Sequence, residues 1–305
     1  MTDDRLARPI DSTTASGARH RRAVVLGGGG VVFVAWLTGY VGELARRGVD
    51  LQQADLFVGT SAGSMVGAVL AGGHLTRFER TVDFVAKRPH LVHRLAPAGK
   101  LQPSQLRALD RFATATDAEP ATVRAIGAAA LAARTPPVAF LPASVLALTQ
   151  QRSWPDRRLL VSGVDAYTGE RLVADRDGGV AMPRAIAASA SVPGIFAPQP
   201  WLDRRVMDGG VSGTGIHADL AAGAGRVLVL PLVTELPAAR MTIQPGAADA
   251  EIAGLRAAGS DVEVRSSGIT DLETLMDTDQ AGGALALGRD QAGNDAASLR
   301  EFWTA

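Results

Sequence analysis

The chain contains no cysteine. That excludes disulfides, thiol nucleophiles and thiolate metal sites, and it leaves the redox compartment open. Neither charge is in surplus, because 31 Lys and Arg balance 31 Asp and Glu. A nucleic-acid partner, which calls for a basic excess, is therefore not expected. No uncharged apolar run reaches the roughly 18 residues of a membrane-crossing helix. The strongest stretch, Val123 to Leu148, is broken by Arg134 and by Pro136-Pro137. The opening Met1-Thr2-Asp3-Asp4-Arg5 is charged and leads into no apolar segment, so no secretory signal is read there. A cytoplasmic chain, at most peripheral to a membrane, is the expectation. What is present is apolar: 47% of 305 residues are hydrophobic, enough for a sizeable core in one large α/β domain or two small ones.

The stretch that organises the chain is Leu56-Phe57-Val58-Gly59-Thr60-Ser61-Ala62-Gly63-Ser64. A short apolar run ends at Val58, and Met65, Val66, Val69 and Leu70 then recur at helical spacing. This is strand, sharp turn, helix, with Ser61 at the apex and Gly59 and Gly63 leaving room beside it. The pattern is the nucleophile elbow G-x-S-x-G. The following helix would aim its unpaired N–H groups and positive dipole end at the turn. The alternative is a glycine-rich turn in which Ser61 only caps a helix.

Taken in order, residues 1–22 read as a mobile basic tail, ending in Arg19-His20-Arg21-Arg22. Ala23 to Leu26 reads as a buried strand, followed by Gly27 to Gly30 and a helix closed by Arg46-Arg47-Gly48. Two strand–turn–helix units in succession indicate a parallel sheet covered by helices. Residues 74–158 read as a helical insertion, with a local basic run from Lys87 to Arg94. Leu159 to Val164 resumes the sheet, Arg171 to Ala174 returns beside it, and Pro183 opens a helix to Ala190. Trp201 to Met207 reads as a turn and a short strand ending in Asp208-Gly209-Gly210; Arg226 to Leu230 is another strand. Residues 233–305 form a C-terminal extension without a chemical motif, expected to pack on the same domain. No internal repeat is present.

Three features follow strand-like runs: the glycine loop, the Ser61 elbow and Asp208. Ligands of open α/β sheets bind at the carboxyl ends of strands, so all three can share one rim. Acyl transfer needs a nucleophile, a base and oxyanion donors. Ser61, Asp208 and the backbone N–H groups of Gly28, Gly29 and Gly30 supply them.

With these blocks and Ala190-Ser191-Val192-Pro193-Gly194-Ile195-Phe196, the sequence resembles the patatin-like phospholipase family. The resemblance covers roughly residues 23–232. It implies a three-layer α/β/α sandwich with a mainly parallel central sheet and the helical insertion after the nucleophile helix. It also implies a Ser61–Asp208 dyad without histidine, a glycine oxyanion loop, lipid acyl esters as substrates, and neither cofactor nor metal. One departure stands out. Where the family's glycine block has a basic residue and then a last glycine, this chain has Val32 and Phe33. Either the helix is displaced or Phe33 walls the acyl pocket, and the expectation is a wall made by Phe33 with Trp36 or Phe196. A transient membrane-surface contact is the partner expected besides the lipid; oligomeric state is not legible. The rival readings are a Ser61–Asp208–His217 triad, a nucleotide-binding protein using the glycine loop, and a catalytically weak family member.

Overall fold

The computed structural model describes residues 20–95, 100–233, 238–270, 274–275 and 277–304. In chain order the elements are β1 (Arg22–Leu26), α1 (Gly30–Arg46), β2 (Leu56–Gly59), α2 (Ala62–Ala71), α3 (Leu75–Ala86), α4 (Pro89–Leu95), α5 (Pro103–Ala113), α6 (Pro120–Ala132), α7 (Phe140–Thr149), β3 (Arg158–Asp165) and β4 (Arg171–Ala174). Then come α8 (Met182–Ser189), β5 (Gln199–Trp201), β6 (Arg204–Asp208), β7 (Arg226–Leu230), α9 (Ala247–Ala257), β8 (Asp261–Val264) and α10 (Ala281–Thr304). The sheet order is β5-β6-β3-β2-β1-β7-β8, with β4 also paired to β3. β3, β2, β1, β7 and β8 run parallel; β4 and β6 are antiparallel to β3, and β5 to β6.

Strand side chains alternate between the two faces of a sheet, and here each face has its own core. Val24, Leu26, Phe57, Leu159 and Val161 join α1, α2, α8 and α10 in the larger cluster. Ala23, Val25, Leu56, Val58 and Leu160 face the other way, onto α9 and the short 3₁₀ turn Ala218–Ala221. Helices α5 and α6 cover the β3–β6 edge through Phe112, Val123, Ile126, Val164 and Met207. The architecture is thus a mainly parallel central sheet flanked by helices. No helix among the described residues is long and apolar enough to cross a membrane.

Two details of the sequence reading change. The tail does not run to residue 22: Arg22 opens β1, and the Arg21 and Arg22 N–H groups both reach the Asp55 carboxylate, at 2.9 and 3.0 Å. Residues 1–19 lie outside the described residues. Trp201 to Met207 belongs to a hairpin of two strands, β5 and β6, because Pro200 breaks an apolar signal already only three residues long.

The C-terminal extension supplies α10, which lies directly on α1. Their backbones approach where glycines face each other's helix. A Cβ on Gly39 would sit 2.2 Å from the Leu285 carbonyl oxygen, and one on Gly288 would sit 2.3 Å from that of Trp36. Two polar links run along the same contact, Trp36 Nε1 to Gln291 at 2.5 Å and the Tyr40 hydroxyl to Asp295 at 2.6 Å. Gly288→Ala should therefore destabilise the protein by about 1–3 kcal/mol, as overpacking does. Gly283→Ala, in the same helix with nothing within 4 Å of its added Cβ, should stabilise by about 0.5–1 kcal/mol. Denaturant midpoints of the two variants check the contrast.

Candidate active site

The β2–α2 turn is built by close approach. A Cβ on Gly63 would lie 2.1 Å from the Leu26 carbonyl oxygen, and one on Gly59 would lie 2.5 Å from the Ser64 Cα. No side chain fits either place. The Thr60 N–H donates to Leu26 O at 3.0 Å and the Gly63 N–H to Gly27 O at 3.0 Å, so the turn is tied to the end of β1. Between these ties Ser61 takes φ 51°, ψ −117°. That is a positive-φ conformation outside the left-handed helical well, costing on the order of 1–3 kcal/mol and held only because its surroundings over-determine it. The Ser61 N–H donates to Ser189 Oγ at 2.8 Å, and Ser64 Oγ donates to the Ser61 carbonyl.

Asp208 ends β6, and Gly163 of β3 is its register partner. Gly59 pairs with Val161, two residues earlier on β3. The carboxyl therefore reaches the same rim as the elbow, but from an antiparallel strand that descends to it. The rule about carboxyl ends of parallel strands accounts for Ser61 and the glycine loop, not for Asp208. The carboxyl is buried; Oδ1 accepts the Gly210 N–H at 2.8 Å, and Oδ2 has no hydrogen-bond partner among the described residues. Burial pushes the Asp208 pKa up to about 7, while the Gly210 N–H and the Ser61 hydroxyl pull the other way. The serine hydroxyl is thus near enough to bear on the carboxylate, although no hydrogen bond closes on Oδ2 in this state.

The glycine loop does not offer three donors. The Gly28 N–H is committed to Gly215 O at 3.1 Å, which removes it from the oxyanion set expected from sequence. Among the described residues the N–H groups of Gly29, Gly30 and Ala62 make no hydrogen bond. Ala62 was missed although the elbow pattern itself points to it, since the residue after the nucleophile is a usual donor. Ser189, far away in sequence, had no signal at all.

Beside Ser61 opens an apolar cleft of about 870 Å³ including its mouth. Its walls include Val31 and Val34 of α1, Met65 of α2, Val85 of α3, Leu141 of α7 and Phe196. Phe196, expected from sequence to line the acyl pocket, lies on this wall with its ring stacked 6.3 Å from that of Phe140. Phe33 and Trp36 are not in the cleft; both are fully buried, with rings 5.3 Å apart. The cause is helical phase. With α1 starting at Gly30, positions 31, 34 and 35 face Ser61, whereas 33, 36 and 40 form an aromatic stack on another face, from which Trp36 and Tyr40 reach α10. Phe33 needs no displaced helix, because it occupies the space that Gly29 leaves: a Cβ there would be 2.6 Å from the Phe33 Cβ.

His217 touches neither Ser61 nor the Asp208 carboxyl. Its Nε2 lies 3.0 Å from both Gly209 O and Ser212 Oγ, and its Nδ1 lies 3.4 Å from Arg171. Burial and Arg171 lower its pKa to about 4. His217, Asp219 and Glu251 could offer metal ligands within 4.8 Å of one another. Their donors are already engaged, however. Arg171 holds Asp219 through two bonds of 2.9 and 2.7 Å, and Glu251 accepts the Ala218 N–H at 2.7 Å. A cation there would face the Arg171 charge.

A strained serine elbow and a buried carboxyl share one rim of a mainly parallel α/β sheet flanked by helices, and these define the class: an α/β protein with a serine elbow at its sheet rim. The patatin-like phospholipase profile matches residues 24–220, and the chain belongs to that family, a family of lipid hydrolases. No protein of curated function matches it by sequence. Among solved structures it is similar to VipD from Legionella pneumophila, at 13% identity and a TM-score of 0.44, over 93% of this chain and 68% of that one. It is also similar to the type III effector protein ExoU, at 15% identity and a TM-score of 0.35, over 95% of this chain and 55% of that one.

The Asp208 carboxyl sets a pH dependence of stability. Its folded pKa, about 7, lies above its ordinary value of 3.8. Between those values the folded state keeps a proton that the unfolded chain has lost, so this group's contribution falls as pH rises through the window. Glu251, raised to about 7, acts in the same sense; His217, lowered to about 4, acts in the opposite sense below its ordinary 6.5. Comparing the parent with Asp208→Asn isolates the first group. Between pH 5 and pH 8 the melting temperature of the parent should fall relative to that of the variant. Parallel curves across this range would contradict a raised Asp208 pKa.

Proposed function

We propose that the protein is a lipid acyl hydrolase with Ser61 as nucleophile and Asp208 as its base. The observation that carries this reading is the placement of Ser61: its strained turn opens into an apolar cleft, with a buried carboxyl beside its hydroxyl. In the reaction Asp208 takes the Ser61 proton as Oγ adds to the ester carbonyl. The N–H groups of Gly29, Gly30 and Ala62 face the oxyanion; one such donor is worth about 10²–10³ in rate. The intermediate collapses to an acyl-serine as the alcohol leaves with the proton from Asp208. Water, deprotonated by Asp208, then releases the acid. The mechanism uses no cofactor. A carboxyl near pKa 7 is a far better base than an ordinary aspartate, and activity should rise with pH through that value.

The cleft supports an acyl chain as the bound group, since its walls are aliphatic apart from Phe196 and the hydroxyls of Ser61 and Ser144. That composition disfavours a nucleotide, and the bonds His217 makes disfavour the triad. A peripheral contact with lipid surfaces belongs to the same reading. The α3–α4 segment, which walls the cleft with Val85 and Val92, exposes Phe84, His90 and Arg94, and Lys87 between the helices, paired with Asp83 at 2.6 Å. No acidic residue lies between Phe84 and Leu95.

A fluorophosphonate probe should label the protein once, at Ser61. On a panel of phospholipids, lysolipids, acylglycerols and short chromogenic esters, Ser61→Ala and Asp208→Asn should lose activity to the same extent. The double variant should lose little more, because the two act as a unit. His217→Ala, while folded, should stay within several-fold of the parent; an inactive, folded His217→Ala would replace the dyad with a triad.

The cleft wall makes a second test. Met65→Trp should shift the preferred acyl length to shorter chains. Phe33→Ala should leave the chain-length profile unchanged while costing about 3–5 kcal/mol of stability, as expected for a truncated core Phe. A profile that moves with Phe33 and not with Met65 would overturn this map of the cleft.

A further inference from the structure

The turn after α8 holds both members of the Ser61–Asp208 pair. Ser189, the last residue of α8, accepts the Ser61 N–H on its Oγ at 2.8 Å. Two residues on, the Ser191 carbonyl accepts the Asp208 N–H at 3.0 Å. Ser189 and Ser191 are both fully buried, so water cannot replace either bond. The pair is not held together by its own contact, since Asp208 Oδ2 has no hydrogen-bond partner among the described residues. Its separation is set by what each backbone is tied to. β2 and β6 do not pair with each other either; β3 lies between them. A second short link joins Thr60 Oγ1 to Ser162 Oγ of β3 at 2.8 Å, with Ser162 against Gly209. The link that reaches the Ser61 and Asp208 N–H groups themselves runs through this turn, with the Ser189 hydroxyl as its side-chain joint.

We infer that Ser189 is a positioning residue: its hydroxyl fixes the strained Ser61 backbone at the distance from Asp208 at which the serine proton can transfer. The inference rests on the acyl-hydrolase reading. Without the acceptor, the buried Ser61 N–H is left unsatisfied and the peptide between Thr60 and Ser61 is free to turn towards another partner. The Ser61 hydroxyl then swings away from the carboxyl. The groups that bear on the Asp208 charge are its burial, the Gly210 N–H and the Ser61 hydroxyl, with no neighbouring charge among them. His217, the titratable side chain of the neighbouring turn, faces Gly209 O. Loss of the serine hydroxyl therefore leaves the carboxyl protonated to higher pH.

The test compares the parent with Ser189→Ala, and with Ser189→Cys, whose thiol fills the space but accepts weakly. Turnover of a soluble chromogenic ester is followed against pH, and the protonated Asp208 carbonyl band, assigned with Asp208→Asn, is titrated by infrared spectroscopy. Ser189→Ala should lower kcat by about 10- to 100-fold, as small misplacements do, with KM within about twofold of the parent. The acid limb and the infrared midpoint should both move to higher pH, with Ser189→Cys in between. Thr149→Ala, which removes another buried hydroxyl, one bonded to Val145 O of its own helix, should lower stability without moving either midpoint. Unchanged midpoints in a folded Ser189 variant would overturn the inference, as would rapid hydrogen exchange of the Ser61 amide in the parent, a measurement that needs no variant. A parent without esterase activity would instead defeat the hydrolase reading, and the infrared midpoints would still report whether Ser189 holds Ser61 to Asp208.

Discussion

Everything at this site depends on how closely the β2–α2 turn approaches the end of β1. The Gly63 backbone lies against the Leu26 and Gly27 carbonyls with no room for a Cβ. That approach allows the Thr60 and Gly63 N–H groups to bond to β1, and those bonds hold Ser61 in a conformation it would otherwise leave. It also brings the glycine loop against the serine, since a Cβ on Gly28 would lie 3.3 Å from that of Ser61. The cost of the strained serine is met by the parallel β1–β2 ladder and by α2, whose residues are all buried. A rigid helix behind the turn is what a precisely placed hydroxyl requires.

The second constraint is the burial of a carboxyl. Asp208 is shielded from water, and among the described residues it accepts a single hydrogen bond, from the Gly210 N–H. Such a group is more basic and less stable when ionised than one in solvent. The same property that suits it to take a proton makes it a liability to the fold near neutral pH. The His217 cluster beneath it resolves a different problem. There the imidazole, in a left-handed backbone conformation, satisfies Gly209 O and Ser212 and so supports the turn that carries Asp208, while Arg171 neutralises Asp219. A histidine near Asp208 in sequence is here a brace for its loop.

Much of this was legible in the chain. The strand and helix positions on either side of Ser61, the insertion of helices after it, and the return to the sheet near Leu159 all follow from periodicity and glycine placement. So does Asp208-Gly209-Gly210 as the end of a strand. The two-strand hairpin before it was not legible, because Gln199–Trp201 is too short to show alternation. Phe33 was placed on the right helix and on the wrong face: sequence fixes which residues share a helical face, but not which neighbour that face meets.

Residue identity alone determined the elbow, since only glycine at positions 59 and 63 permits the turn, and it determined that a carboxyl and a glycine loop follow strands. The tertiary structure decided three things that have no local signature. It decided which N–H groups are free, because Gly28 is taken by Gly215, more than a hundred residues away. It decided that Asp208 arrives on an antiparallel strand, because strand direction follows from pairing with β3 and not from composition. And it decided that Val31, Val34 and Met65 rather than Phe33 and Trp36 wall the cleft, because α10 draws the aromatic face of α1 to itself. Local chemistry names the groups that can react; their directions in space are set by partners distant in the chain.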